Sequence, residues 1–252
     1  MVHGIDRFRE FFRDFTGRYV LIGGAACDIL FDSANADFRA TKDLDVVLIM
    51  DAIDSAFVER LIAFVKTGGY QHINRSSGKE QYYRFQNPAD KSFPVMIELF
   101  SRRPEYLHSI NTQLTPIHIS EDVISLSAIL LDDEYYSLIR SGRTEVSNVS
   151  VLQIEYIILF KMKAWLDLSE RKRNGESVDS KNIKKHKNDV LRLAAVMDPE
   201  TRIFLDGKVK NDVLRFIAES EKDPADPKTL GIPGVNYQDL VNRLKSCYGI
   251  QE

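Results

Sequence analysis

The sequence predicts a mixed α+β fold: a mixed sheet with helices in the first half, followed by a mostly helical C-terminal part. Three observations carry this expectation. Before about residue 120, short apolar runs bounded by Gly, Pro, Asn and Ser alternate with amphipathic stretches. After about residue 150, apolar residues recur at helical spacing over long segments. The 252 residues are 44% hydrophobic and 28% charged, with a formal charge of −3. That composition excludes wholesale disorder, collagen and long coiled coils, and the length suffices for one large domain or two small ones. The expected division is an α/β core over 1–125 and a mostly helical domain over 126–252.

Taken in order, Ile5, Phe8, Phe12 and Phe15 recur at helical spacing among charges, and Gly17 closes that helix. Tyr19–Ile22 reads as a short buried strand ended by Gly23-Gly24. Ala25–Phe31 reads as a small-residue helix, Leu44–Met50 as a second strand, and Asp54–Val65 as a helix ending at Gly68-Gly69. Strands are expected at Tyr70–Asn74, Gln81–Gln86 and Val95–Phe100, with turns at Ser76–Gly78 and Asn87–Asp90 and an edge strand at Pro116–Ile119. In the second half, Val151–Leu168 and Ser180–Met197 are expected as long helices. Pro199 is expected to open another, and Gln238–Cys247 forms a last amphipathic helix.

Cys27 and Cys247 are the only cysteines. Two thiols so far apart make neither a disulfide scaffold nor a zinc-finger spacing, and a reduced, cytoplasmic setting is the expectation. Asp6, Arg7, Arg9 and Glu10 interrupt the N-terminus, unlike a signal peptide. No apolar run reaches the roughly 18 residues of a membrane span, so no membrane partner is expected. The near-neutral charge argues against bulk nucleic-acid coating and leaves room for a local basic groove.

The chemistry concentrates between Gly23 and Asp45. Asp43 and Asp45 flank Leu44 at the start of a strand, so their side chains share a face. Two carboxylates that close repel unless a cation intervenes, and a hard divalent ion such as Mg²⁺ or Mn²⁺ suits oxygen ligands. Metal pairs about 3.5–4 Å apart support phosphoryl or nucleotidyl transfer. Glu98, an acid inside the apolar run Val95–Phe100, is the candidate third carboxylate, because a charge there is costly unless paired or metal-bound. Gly23-Gly24, ending a strand and opening a helix, would let a phosphate approach the backbone N–H groups; alone, it is also an ordinary tight turn.

The string Gly23-Gly-Ala-Ala followed by Arg39-Ala-Thr41-Lys-Asp43-Leu-Asp45 resembles the nucleotidyltransferase (DNA polymerase β-like) superfamily. Within it, the chain is most similar to the AbiEii/AbiGii toxin-type nucleotidyltransferases. Phe160-Lys161-Met-Lys163-Ala-Trp and Lys184-Lys185-His186-Lys-Asn-Asp189 resemble that family's downstream lysine and Lys-x-x-x-Asp motifs. The likeness spans residues 18–197. Two departures stand out: Gly-Gly replaces the Gly-Ser of many members, and 19 positions separate Gly24 from Asp43, more than in compact members. The added segment, Phe31–Phe38, is polar and expected as a loop.

The resemblance implies that Asp43 and Asp45 bind metal and that Glu98 ligates a metal or acts as base. It implies that Gly23, Gly24, Arg39, Thr41, Lys161, Lys163, Lys185 and Asp189 serve the nucleotide. Each has a plainer alternative. Arg39 would pair equally well with Asp43 or Asp45. Lys161 and Lys163, which do not share one helix face, would snorkel from a packed helix. Lys185 and Asp189, four apart, would form a surface ion pair. His186 reads as a surface residue. The implied activity is NTP-dependent nucleotidyl transfer to an acceptor hydroxyl on RNA, especially a tRNA end, or on protein, with Mg²⁺ or Mn²⁺ as cofactor. It extends to the toxin of a toxin–antitoxin or phage-defence pair, with an antitoxin protein as partner. The alternatives are an antibiotic-type small-molecule nucleotidyltransferase and a non-catalytic nucleotide-binding protein on the same fold. Residues 161–192 carry ten Lys/Arg against five Asp/Glu, so a local +5 is hidden in the overall −3.

Overall fold

The computed structural model describes residues 2–33, 41–70, 82–100, 129–130 and 132–250. Among these, the protein is mixed α+β. Six strands, β1 (Tyr19–Ile22), β2 (Asp43–Leu48), β3 (Tyr82–Gln86), β4 (Met96–Phe100), β5 (Arg143–Val146) and β6 (Val149–Leu152), form one sheet in the order β3-β4-β2-β1-β6-β5. β1 runs antiparallel to β2 and parallel to β6, and β2 runs parallel to β4. The expected strands at Tyr70–Asn74 (but for Tyr70) and Pro116–Ile119 lie outside the described residues.

The chain divides into two units: Met1–Ile119 with Ile139–Gln153, and Ser120–Leu138 with Ile154–Glu252. The division therefore interleaves, instead of falling at one point near residue 125. Its cause is the β5–β6 hairpin, which lies late in the sequence yet joins the sheet beside β1. Val151 does not begin a helix: it is a buried strand residue in register with Leu21. Ser147 and Asn148, both at positive φ, connect Val146 to its partner Val149 in a two-residue turn suited to the twist of a hairpin.

In the first unit, α1 (Ile5–Phe12) buries Ile5, Phe8 and Phe12. The rings of Phe8, Phe12 and Tyr19 meet edge-on or tilted with centroids 4.6–6.0 Å apart. A 3-10 segment, Arg13–Arg18, leads into β1. α2 (Gly23–Ser33) starts directly at the end of β1, and Cys27 is buried within it. α3 (Ser55–Gly68) is capped by Asp54, whose carboxylate accepts from Phe57 N at 2.9 Å, and ends at Gly69 in the left-handed region.

The second unit is helical. α4 (Asp133–Ser141) starts in it and α5 (Ile154–Arg173) is its longest helix; α6 (Ser180–Val196), α7 (Gly207–Ser220) and α8 (Tyr237–Cys247) complete it. Pro199 does not open a helix: residues 201–206 are irregular and α7 begins at Gly207. Its free N–H groups are met from outside, since Glu134 accepts from Lys208 N at 2.8 Å and Val209 N at 3.3 Å. α8 carries a reciprocal capping box of Asn236 and Asp239. Trp165, Tyr135 and Tyr136 are buried core residues. No helix among the described residues is long and apolar enough to cross a membrane.

Candidate functional site

The acids of the first unit sit where strand register places them. Asp43 and Asp45 are both half-buried on one face of β2, while Leu44 between them is buried on the other. In the parallel β2–β4 pairing Asp45 lies opposite Glu98, and in the antiparallel β3–β4 pairing Glu98 lies opposite Arg84. Asp45 is in turn opposite Ile22 of β1, the residue before Gly23. Arg84, Glu98 and Asp45 therefore form one row across three adjacent strands, each about 5 Å from the next. Glu98 is buried, and its Oε1 accepts from Arg84 Nε at 2.7 Å and also from Arg84 Nη2. Sequence reasoning did not single out Arg84; its position opposite Glu98 depends on a pairing that no local pattern announces.

The two glycines have distinct jobs. Gly23 has φ +65°, and a Cβ placed on it would lie 2.2 Å from Asp45 Oδ2. Only glycine leaves space for that carboxylate against the β1–α2 turn. A Cβ on Gly24 would lie 3.0 Å from Thr41 Cβ and Oγ1. A side chain at this position would crowd Thr41, so the second glycine has a steric reason. The turn opens α2, so its first N–H groups stand close to the carboxylate face. Gly23, Gly24, Thr41, Asp43, Asp45 and Glu98 are thus brought together with Arg84. Arg39 lies outside the described residues, as does the segment after Ser33 up to Ala40.

The residues expected from the second half belong to the second unit and form internal contacts there. Lys161 on α5 is buried, and its Nζ lies 3.1 Å from Oδ2 of the fully buried Asp189 on α6. Asp189 Oδ1 also has Arg192 Nη1 at 3.7 Å. Lys163 reaches the other way, with Nζ 3.0 Å from Asp212 Oδ2 on α7, where the Tyr135 hydroxyl donates at 3.0 Å. Burial and the Asp212 charge push the Tyr135 phenol well above its usual range, so it stays a donor. Lys185 is half-exposed, one turn before Asp189. His186 is not a surface residue; it is buried in α6. Much of the local positive charge is matched on the spot: Arg171 pairs with Glu176, Arg173 with Glu219 and Lys187 with Asp223.

Asp43 and Asp45 fit a hard divalent cation by donor chemistry and shared face. Among the described residues, no group of three or more His, Cys, Asp or Glu side chains is arranged to hold a metal ion; the carboxylate of Glu98 is held by Arg84. No protein-family model matches this chain, and no curated protein matches it significantly.

Proposed function

We propose that the protein is a metal-dependent nucleotidyltransferase acting on a nucleoside triphosphate. The observation that carries this reading is the row of Asp45 and Glu98 on neighbouring strands, with Asp43 on the same face and the Gly23 turn against Asp45. Asp43 and Asp45 would hold Mg²⁺ or Mn²⁺, which when bound offsets the carboxylate charge and polarises phosphoryl oxygens. The N–H groups opening α2 would take a phosphate, the favoured ligand of a helix N-terminus. In the transfer, an acceptor hydroxyl oxygen bonds to the α-phosphorus as its O–H bond breaks and the proton passes to solvent, the α–β phosphoanhydride bond breaks, and pyrophosphate leaves. The acceptor is read as RNA, with a tRNA end foremost, or protein. The toxin role and an antitoxin partner rest on the sequence resemblance alone, which is fold-level analogy.

A second reading, a non-catalytic nucleotide-binding protein, is favoured by one observation: Arg84 already engages Glu98. Incubation with α-labelled NTPs, Mg²⁺ and total RNA, cell protein or an aminoglycoside panel separates the readings. Label on RNA or protein that disappears in Asp43→Asn supports the proposal, and label only on the small molecules redirects it to the antibiotic-type class. Metal-dependent NTP binding without transfer favours the binding protein. Absence of both overturns the nucleotide assignment.

A further inference from the structure

We infer that the surface formed by the segment before α7 and the turn after α8 pairs with the same surface of a second copy of this chain, each Phe204 seating in the groove beside the other copy's Leu214. The inference stands apart from the nucleotide reading and uses only the second unit. One exposed apolar residue is ordinary on a surface, but Phe204 is 90% exposed on a backbone held from both sides. Ile203 N donates to Cys247 O at 2.7 Å, and Leu205 is buried. Arg202 Nη1 donates to the Pro199 and Thr201 carbonyls at 2.6 and 2.8 Å. The ring is thus presented to solvent by an anchored segment. Close to it in the fold lies a groove of about 410 Å³ lined by Lys210, Leu214, Gly249 and Ile250. Its walls belong to the elements that hold Phe204: α7 starts at Gly207, and Gly249 follows just after Cys247, the residue bonded to Ile203. Leu214 is itself 42% exposed.

The charges at this surface come in the same matched form. Asp206 stands at the cap position of α7 yet makes no capping bond, and Glu134 takes the Lys208 and Val209 N–H groups instead. Lys210 has no ion-pair partner among the described residues. The surface therefore carries an apolar knob with a groove, and an acid with a base, none satisfied within its own chain. Such a patch is complementary to itself, which a two-fold contact requires because each patch meets an identical one. In that pairing Asp206 of one copy comes to Lys210 of the other, beside each seated ring. A buried aromatic ring covers about 150–250 Å². Two such seats, with Leu214 and Ile250 around them, make a contact at the small, weak end of protein interfaces.

The test is analytical sedimentation of the full chain from about 1 µM to about 500 µM, where a contact of this size associates. Wild type should pass from monomer to dimer and stop there. Phe204→Ser and Leu214→Glu should each weaken dimerisation at least about tenfold, since a two-fold contact carries every change twice. Both positions are exposed, so thermal melts at low concentration should stay unchanged. Mixing the two variants rebuilds one complete seat: Phe204 of the Leu214→Glu chain meets the intact groove of the Phe204→Ser chain. The mixture should therefore associate more tightly than either variant alone. Asp206→Lys should weaken the dimer, and adding Lys210→Asp should restore it. Wild type that stays monomeric throughout overturns the inference, whatever else binds this surface. A dimer indifferent to Phe204→Ser places the contact elsewhere and overturns it too. So does a mixture no tighter than its components, or growth beyond the dimer, which would mark a head-to-tail contact.

Discussion

Replacing Lys161 with Met should unfold the second unit more easily, by an amount the structure bounds. Asp189 is fully buried, and Lys161 Nζ lies 3.1 Å from its Oδ2. Methionine fills a similar volume and removes only the charge. Breaking a buried pair from one side costs about 3–5 kcal/mol, because the surviving ion keeps its desolvation penalty. Arg192 remains 3.7 Å from the other carboxylate oxygen, which places the expected loss at the lower end, about 3 kcal/mol. That is a change of roughly a hundredfold in the folded-to-unfolded ratio. Trp165, the sole tryptophan, is one helical turn from Lys161 and packs edge-on against Phe216 with centroids 5.1 Å apart, so its fluorescence follows this unit specifically. In urea the midpoint should fall by about 1 M or more. Adding Asp189→Leu to Lys161→Met should restore most of the loss, since an apolar replacement of both partners is often neutral. A single-mutant loss below about 1 kcal/mol, or a double mutant as unstable as the two single losses combined, would refute the buried-pair argument.

Gly23→Ala should lower the melting temperature and weaken Mn²⁺ binding together, because its methyl meets Asp45 Oδ2 and its φ is positive; unchanged binding in a folded variant would contradict the close approach. Glu134→Ala removes the carboxylate that meets two N–H groups of α7 and should cost about 1 kcal/mol by chemical unfolding. Burial pushes the Cys247 thiol up to about 12, with Glu155 adding to it, so iodoacetamide should leave it unmodified at pH 8 until the protein unfolds. Asp132 is raised by burial but lowered more by bonds from Lys208 and from the Tyr135 and Glu134 N–H groups, so its net pKa lies below 3.8. Its stabilisation is therefore complete above that ordinary value and is lost as pH falls through the folded one. Asp132→Asn should flatten the acid limb of the stability–pH profile, and an unaltered limb would count against that sign.

The elements that could be read locally were those whose signal is local. β1 is a run of four buried residues closed by two glycines, and β2 and β4 are short apolar runs around two acids and one acid respectively. α5 and α6 declared themselves through length and period. The β5–β6 hairpin escaped because its turn, Ser147-Asn148, lacks the Asn-Gly or Asp-Gly pair that usually marks two positive-φ positions. The apolar run from Val149 onward crosses from strand to helix at Gln153 with no Gly or Pro between. At the site, the spacing of Asp43 and Asp45 was enough to place them on one face. The engagement of Glu98 by Arg84, and of Lys161 and Lys163 by buried acids, depends on long-range pairing, which composition and spacing do not encode. Loss of activity on mutating Lys161 or Asp189 would arrive together with loss of helix packing, so only variants with verified folding can report on a nucleotide role.

The late position of the β5–β6 hairpin also shapes how the chain comes off the ribosome. β1 emerges early, but its neighbour β6 is synthesised about 130 residues later. Throughout that interval one whole side of a strand made only of Tyr, Val, Leu and Ile has its backbone donors and acceptors open. A fragment ending at residue 125 would keep that side open permanently and should self-associate, whereas one ending just after Gln153 carries the strands that close it. The hairpin thus acts as the chain's own protection against edge-to-edge aggregation, delivered only when the first unit is otherwise complete.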